Sequence, residues 1–157
     1  MAIRTIREAN DPILRKKSKE VESIDEKTEE LINDMLETLY KYNGVGLAAV
    51  QVGVLKRIIV IDIYEDGVPP FVLINPKVIK TKGEQTIDEG CLSFPNQFAK
   101  IIRPQEVTVE ALDRNGKKIK ITGKELLAQA LVHEIDHLDG TLFVDKIIPG
   151  TLETVTV

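Results

Sequence analysis

Residues 122–140 read TGKELLAQALVHEIDHLDG, and the way this stretch winds decides the fold. Thr122 and Glu125 have the T-x-x-E form of a capping box, and Gly140 stands where a helix stops, so a helix from about Gly123 to Asp139 is expected. At roughly 100° per residue, Leu126, Ala130, His133 and His137 share a face about 60° wide, with Gln129 at its margin. Leu127, Leu131, Ile135 and Leu138 lie on the opposite side. A helix apolar on both sides runs through an interior, so the remaining chain is expected to wrap around it.

That remaining chain is largely strand. RIIVIDI (57–63) and FVLINPKVI (71–79) are Ile- and Val-rich runs joined by a turn around Asp66-Gly67, with Asn75-Pro76 marking an edge or a bend. Residues 85–91 form a further candidate strand, after which Pro95-Asn96 is read as a turn. VTVEAL (107–112) alternates, and DRNG (113–116) turns it into KKIKI (117–121), an antiparallel pair. The last seven residues read as a strand or a frayed end. Ahead of the sheets, Leu31, Ile32, Met35, Leu36 and Leu39 recur at helical spacing between Asp25 and Tyr42, with Ser23 or Asp25 as the cap and Asn43-Gly44 as the stop. The fold class is therefore α+β: mostly antiparallel sheets around a buried helix, plus an N-terminal amphipathic helix, in a single domain spanning 1–157.

The buried helix carries chemistry. His133 and His137 are the only histidines, one turn apart, with Glu134 between them. Two imidazoles so spaced can bind one metal ion, and the glutamate beside the first is placed to act on water there. The single cysteine, Cys91, lies in E-G-C-L-S, where a glycine-preceded backbone can turn a thiolate inward. Two histidines and a cysteine leave one tetrahedral position open, the pattern of a catalytic rather than a structural site. By ligand softness the metal is zinc or ferrous iron. Between Gly44 and Gly53, GVGLAAVQVG offers glycines for a turn or for ligand contact, and Gln51 as a structural hydrogen-bonder or a substrate contact.

Composition excludes several alternatives. With 43% hydrophobic and 29% charged residues the chain is of soluble, globular type, and a net charge of −4 gives no nucleic-acid footprint. No apolar run approaches the ~18 residues of a membrane span. The N-terminus has no secretory pattern, and one cysteine forms no internal disulfide, so a cytoplasmic setting is expected. No unexplained apolar helix face remains, and a monomer is expected.

GVGLAAVQ, EGCLS and HEIDHLDG, in this order and spacing, resemble the three signature motifs of the peptide deformylases, and the resemblance extends over DPILR and LDRNGK to nearly the whole chain. It implies a hydrolase that removes the N-formyl group from the initiator methionine of nascent polypeptides, with Fe(2+) as the usual metal and zinc, nickel or cobalt as replacements. Cys91, His133 and His137 would be the ligands, and Glu134 would move the proton from water to the departing amine. The Gln51 amide and the Leu92 N–H would stabilise the oxyanion. Gly46 would hold the substrate backbone, and Val45, Ile87, Leu126, Gln129, Ala130 and His133 would line the methionine pocket. Glu89, Ser93 and Asp136 are candidates for the free imidazole nitrogens, with an Asp136–Arg103 ion pair as the alternative for Asp136.

The chain departs from the family pattern at several places. Val132 replaces a usual glutamine, Val50 a proline or threonine, Gln129 an apolar pocket residue, and Phe98 an arginine that helps bind the peptide. A basic C-terminal helix that docks some members on the ribosome has no counterpart here, so ribosome contact through such a tail is not expected. Two other readings compete. A zinc peptidase shares H-E-x-x-H but normally takes a downstream third ligand, and no histidine follows His137. A binding module without turnover would not need Glu134, Gln51 and Cys91 together.

Overall fold

The computed structural model describes residues 2–156. An N-terminal arm leads through a 3₁₀ turn at Pro12–Arg15 to helix α1 (Glu26–Lys41). Asp25 caps α1, its carboxylate accepting the Thr28 N–H at 2.9 Å, while Asn43 in the left-handed region (φ +54°) ends it. Strands follow in order: β1 (Gly46–Ala48), β2 (Ile58–Ile61), β3 (Phe71–Lys82), β4 (Gln85–Cys91), β5 (Phe94–Arg103), β6 (Glu106–Leu112) and β7 (Lys118–Lys124). Helix α2 (Leu126–Leu138) comes next, and the short β8 (Glu153–Thr154) closes the chain.

The strands form two antiparallel sheets, one in the order β1-β2-β3-β6-β7 and one in the order β4-β5-β8. Alternation sends Ile59, Ile61, Leu73, Val107, Val109 and Ala111 to one face of the larger sheet, where they meet Leu131, Ile135 and Leu138 of α2. Leu47, Val60 and Ile74 on the other face meet Leu31, Ile32, Met35 and Leu39 of α1. A third cluster, with Leu14, Phe94, Ile101 and Phe143, fills the space beneath the smaller sheet. Helix α2 thus lies within the fold with His133 and His137 buried, as its two apolar sides require.

Three local expectations are corrected and two open alternatives are resolved. Pro95-Asn96 is not the turn: Leu92-Ser93 turns the chain, Cys91 pairs with Phe94, and β5 runs on through Asn96 with φ +63°. Of the edge and the bend offered at Asn75-Pro76, the bend is found: the register of β3 against β6 shifts there in a bulge, and the pairing with β2 stops at Ile74. Asn75 stabilises that bulge at φ +52°, its side chain bonding the Val21 N–H and carbonyl at 2.8 and 3.0 Å. Thr122 is not a helix cap but a rung of β7 opposite Thr108, their hydroxyls 3.1 Å apart. Helix α2 starts three residues later than expected, after Glu125 turns the chain sharply at φ +52°. Of the two possible caps for α1, Asp25 is the one used, not Ser23.

Candidate active site

Strand β4 and helix α2 bring three ligand-type side chains together. The donor atoms of Cys91, His133 and His137 lie within 4.8 Å of one another, and Cys91 Sγ is 3.3 Å from His137 Nε2. Bond lengths of about 2.3 Å to sulfur and 2.0–2.1 Å to nitrogen put tetrahedral neighbours roughly 3.3–3.6 Å apart, so a thiolate and two imidazoles at this spacing suit one zinc or ferrous ion. His133 Nδ1 is engaged by Glu89 Oε2 at 2.7 Å, which leaves Nε2 for the site.

Behind the site is a buried charge network. Arg103, on β5 and 2% exposed, donates to both Glu89 oxygens at 3.0 and 2.6 Å and to Asp136 Oδ2 at 2.9 Å. Asp136 also accepts from Lys146 at 2.9 Å, so it serves the arginine rather than an imidazole. Burial would raise the Glu89 carboxyl, but hydrogen bonds from His133 and Arg103 outweigh it and hold the group at about 2. Burial depresses His133, yet Glu134, Cys91 and Glu89 overcome it and raise the imidazole well above its ordinary value. His137 is pushed well below, first by burial and then by the charge on His133. So much negative potential around His133 is a setting that favours a cation.

Glu134 follows His133 on α2 and points at the cleft. Its Oε1 is buried without a protein partner, and Oε2 lies 3.9 Å from His133 Nε2. Burial raises its carboxyl to about 7, against the pull of His133 and Arg103. Gln51 lies in the 3₁₀ turn after β1 (Ala49–Val52), its carbonyl oxygen accepting the Ala48 N–H at 2.9 Å. Its amide nitrogen donates to Ser93 Oγ at 3.0 Å and approaches Cys91 Sγ at 3.6 Å, so the remaining N–H is aimed at the metal-ligand cluster. The Ser93 hydroxyl therefore orients Gln51 and hydrogen-bonds to neither histidine.

A cleft of about 850 Å³ opens in front, within the range of small-ligand sites. Val45, Gly46, Leu92, Leu126, Gln129 and Ala130 all line it, together with Gln51, Cys91, His133 and Glu134. Ile87 does not. It packs instead against the cluster of Leu14, Phe94, Ile101 and Phe143. Gln129 faces the cleft while its amide donates to the Asp88 carbonyl and to Glu89 Oε1, both at 3.2 Å. Phe98 lies over Gly90 at the cleft's margin, 46% exposed. Sequence reasoning missed Arg103 as the partner of Glu89. Its signal is an arginine at an inward position of an alternating strand, legible only once β5 is recognised as one.

A strand-borne cysteine facing His-Glu-x-x-His on a buried helix, above an open cleft, defines the class of a mononuclear metallohydrolase. A family model described as polypeptide deformylase matches residues 3–152. A peptide deformylase of Acetivibrio thermocellus is 59% identical over 148 residues, covering 94% of this chain and 85% of that one. One of Lachnoclostridium phytofermentans is 54% identical over 156 residues, covering 99% and 95%. The crystal structure of the Legionella pneumophila peptide deformylase superposes with a TM-score of 0.91 at 50% identity, covering 94% of this chain and 88% of that one. This chain belongs to the peptide deformylase family, whose members are metal-containing hydrolases that remove the N-formyl group from nascent peptides.

Proposed function

We propose that this chain, acting as a single catalytic domain, removes the formyl group from N-formylmethionyl peptides and releases formate. The observation that carries the reading is the meeting of Cys91, His133 and His137 beside a buried, unpartnered Glu134 oxygen at the mouth of the cleft. Cys91, His133 and His137 would hold the metal. Family resemblance favours Fe(2+), and zinc, nickel or cobalt suit the same donors. Once bound, the ion supplies Lewis acidity that lowers the pKa of water and polarises the formyl carbonyl.

The chain's own residues do the rest. Glu134, on the same helix as both histidines, takes a proton from the attacking water and returns it to the departing amine. The Gln51 N–H on the Cys91 side and the backbone N–H of Leu92 receive the charge that develops on the formyl oxygen. Each such donor is typically worth ~10²–10³ in rate. Val45, Gly46, Leu126, Gln129 and Ala130 bound the space for the methionine side chain, with the Gly46 backbone free to pair with the peptide. The Gln129 amide gives this pocket a polar wall. Ile87, on β4, packs on the cluster of Leu14, Phe94, Ile101 and Phe143 behind this pocket.

Among the described residues no helix is long and apolar enough to cross a membrane. The assignment is a cytoplasmic monomer acting on formylated nascent chains. The test is formate release from a formyl-Met peptide by protein purified and metal-analysed without oxygen, beside metal-loaded Glu134→Ala. Activity in the parent and near-complete loss in the variant, with metal retained, is expected. Substantial turnover by the variant would remove Glu134 from its role, and internal peptide cleavage would indicate a peptidase.

A further inference from the structure

The glycine edge of the cleft is tied down from outside by a residue that belongs to none of the three motifs. Beyond β2 the chain reaches Tyr64, whose φ of +55° lies in the left-handed region that bulky side chains avoid. Its hydroxyl donates to the Gly44 carbonyl at 2.7 Å, and its N–H donates to Asp62 Oδ1 at 2.8 Å. The other Asp62 oxygen accepts from the Tyr40 hydroxyl on α1 at 2.9 Å, and the Asp62 N–H donates to the Val45 carbonyl at 2.8 Å. The two tyrosine rings meet edge to face, 6.2 Å between centroids, and both are exposed. Burial of apolar surface therefore explains this arrangement poorly, whereas the bonds to Gly44 and Val45 give it a purpose.

The segment so held has little freedom on its other side. A β-carbon on Gly44 would stand 2.8 Å from Leu92 Cδ1, and one on Gly46 would stand 2.6 Å from Glu134 Oε2. Backbone and side chains are thus already in close contact along the cleft edge. A shift inward would press on Leu92 and Glu134, and a shift outward would open a gap behind both.

We propose that Tyr64 is a positioning residue whose hydroxyl latches the Gly44–Gly46 edge against Leu92 and Glu134, fixing the backbone on which the formyl-peptide lies. This rests on the deformylase reading above and adds a residue from outside the cleft. Tyr64 does not line the cavity, so it acts only through the edge it holds.

Tyr64→Phe keeps the ring against Tyr40 and removes only the latch. In the metal-loaded enzyme, KM for a formyl-Met peptide should rise about three- to tenfold, the worth of one neutral hydrogen bond. The value of kcat should stay within about twofold, since Glu134 and the ligands remain on α2 and β4. Hydrogen exchange at the Asp62 amide, which donates to Val45, should quicken by a similar factor. Unchanged KM and exchange would overturn the proposal, as would a lowered melting temperature with unchanged KM, the mark of a merely structural tyrosine. If the parent enzyme releases no formate, the functional reading falls by itself. Exchange then still decides the latch: faster in Tyr64→Phe upholds it, and unchanged rejects it.

Discussion

A β-carbon on Gly46 would stand 2.6 Å from Glu134 Oε2 and 2.8 Å from its Cγ, so the backbone of β1 and the carboxylate on α2 are packed directly together. Glu134 is buried and cannot swing into solvent to make room. Gly46→Ala is therefore expected to displace the carboxylate rather than unfold the chain. A displacement near 1 Å lowers kcat by roughly 10²-fold, while overpacking costs about 1–3 kcal/mol of stability. Steady-state kinetics beside a thermal melt and metal analysis check this. An alanine variant with full kcat would show that the carboxylate has more room than the packing allows.

Arg103 is buried and holds both oxygens of Glu89, the carboxylate that orients His133. Replacing it with an apolar side chain of similar length, Arg103→Met, leaves Glu89 buried with its negative charge less compensated. Breaking such a pair from one side costs about 3–5 kcal/mol. Because Glu89 fixes the His133 ring, metal affinity should also fall about 10–100-fold. Denaturant titration and a metal-competition assay read the two effects separately. Lost stability with unchanged affinity would mean that Glu89 orients the ligand without help from Arg103.

Glu134 gives the metal-free protein a pH dependence of definite sign. Its carboxyl titrates at about 7 in the fold against 4.5 for an unperturbed group. The folded state thus binds the proton more tightly than the unfolded chain. Below 4.5 there is no penalty, between 4.5 and about 7 stability falls as pH rises, and above that the loss is complete. Glu134→Gln removes the titration. In chelator, the variant should be more stable than its parent at about pH 8, by up to ~3 kcal/mol, and the gap should close near pH 4. A gap that does not shrink toward acid would assign the effect to something other than this carboxyl.

The parts of the site legible in the sequence are those where residue type and local period carry the information. His133, Glu134 and His137 share one helix, so a wheel places them, and Gln51 stands out as the polar side chain of an apolar stretch. The amphipathic α1 and the β6–β7 hairpin are legible for the same reason. What was hidden depends on pairing between distant segments. Pro95-Asn96 carries turn chemistry yet belongs to a strand whose partner, β4, sets its register. Without β5 the inward position of Arg103 is not legible, although its ion pair with Asp136 is one of the two alternatives the sequence offers and is the one formed. Thr122 had the form of a cap until its rung opposite Thr108 claimed it for β7. The packing of Ile87 against the third core cluster likewise depends on β4 meeting β5 and is not legible from its own stretch.

The N-terminal arm joins stability to the site through Asp34. This buried carboxylate on α1 accepts the Ala2 N–H at 2.8 Å and the Arg4 Nε at 2.9 Å, while the Arg4 N–H donates to Thr38 Oγ1 at 2.9 Å. Further along the arm, the Arg7 N–H donates to the Gln51 carbonyl at 2.7 Å and the Ala9 N–H to the Ser93 carbonyl at 2.9 Å. The arm so tethered braces the backbone of Gln51 and of Ser93, whose hydroxyl holds the Gln51 amide. Burial would raise the Asp34 carboxyl, but the Ala2 and Arg4 bonds outweigh it and hold it below its ordinary 3.8. Its contribution is therefore fully present above 3.8 and is lost as pH falls through the lowered folded value. Asp34→Ala should cost about 2 kcal/mol at neutral pH, the order expected for hydrogen bonds to a buried charge. That difference should narrow in acid, as pH falls below 3.8 and through the lowered folded value. If the arm braces Gln51, kcat should also fall, because a loosened amide meets the oxyanion less well, while metal content stays unchanged. Melts across acid pH, read beside formate release, test both halves. A variant that loses stability but keeps full kcat would confine Asp34 to holding the arm.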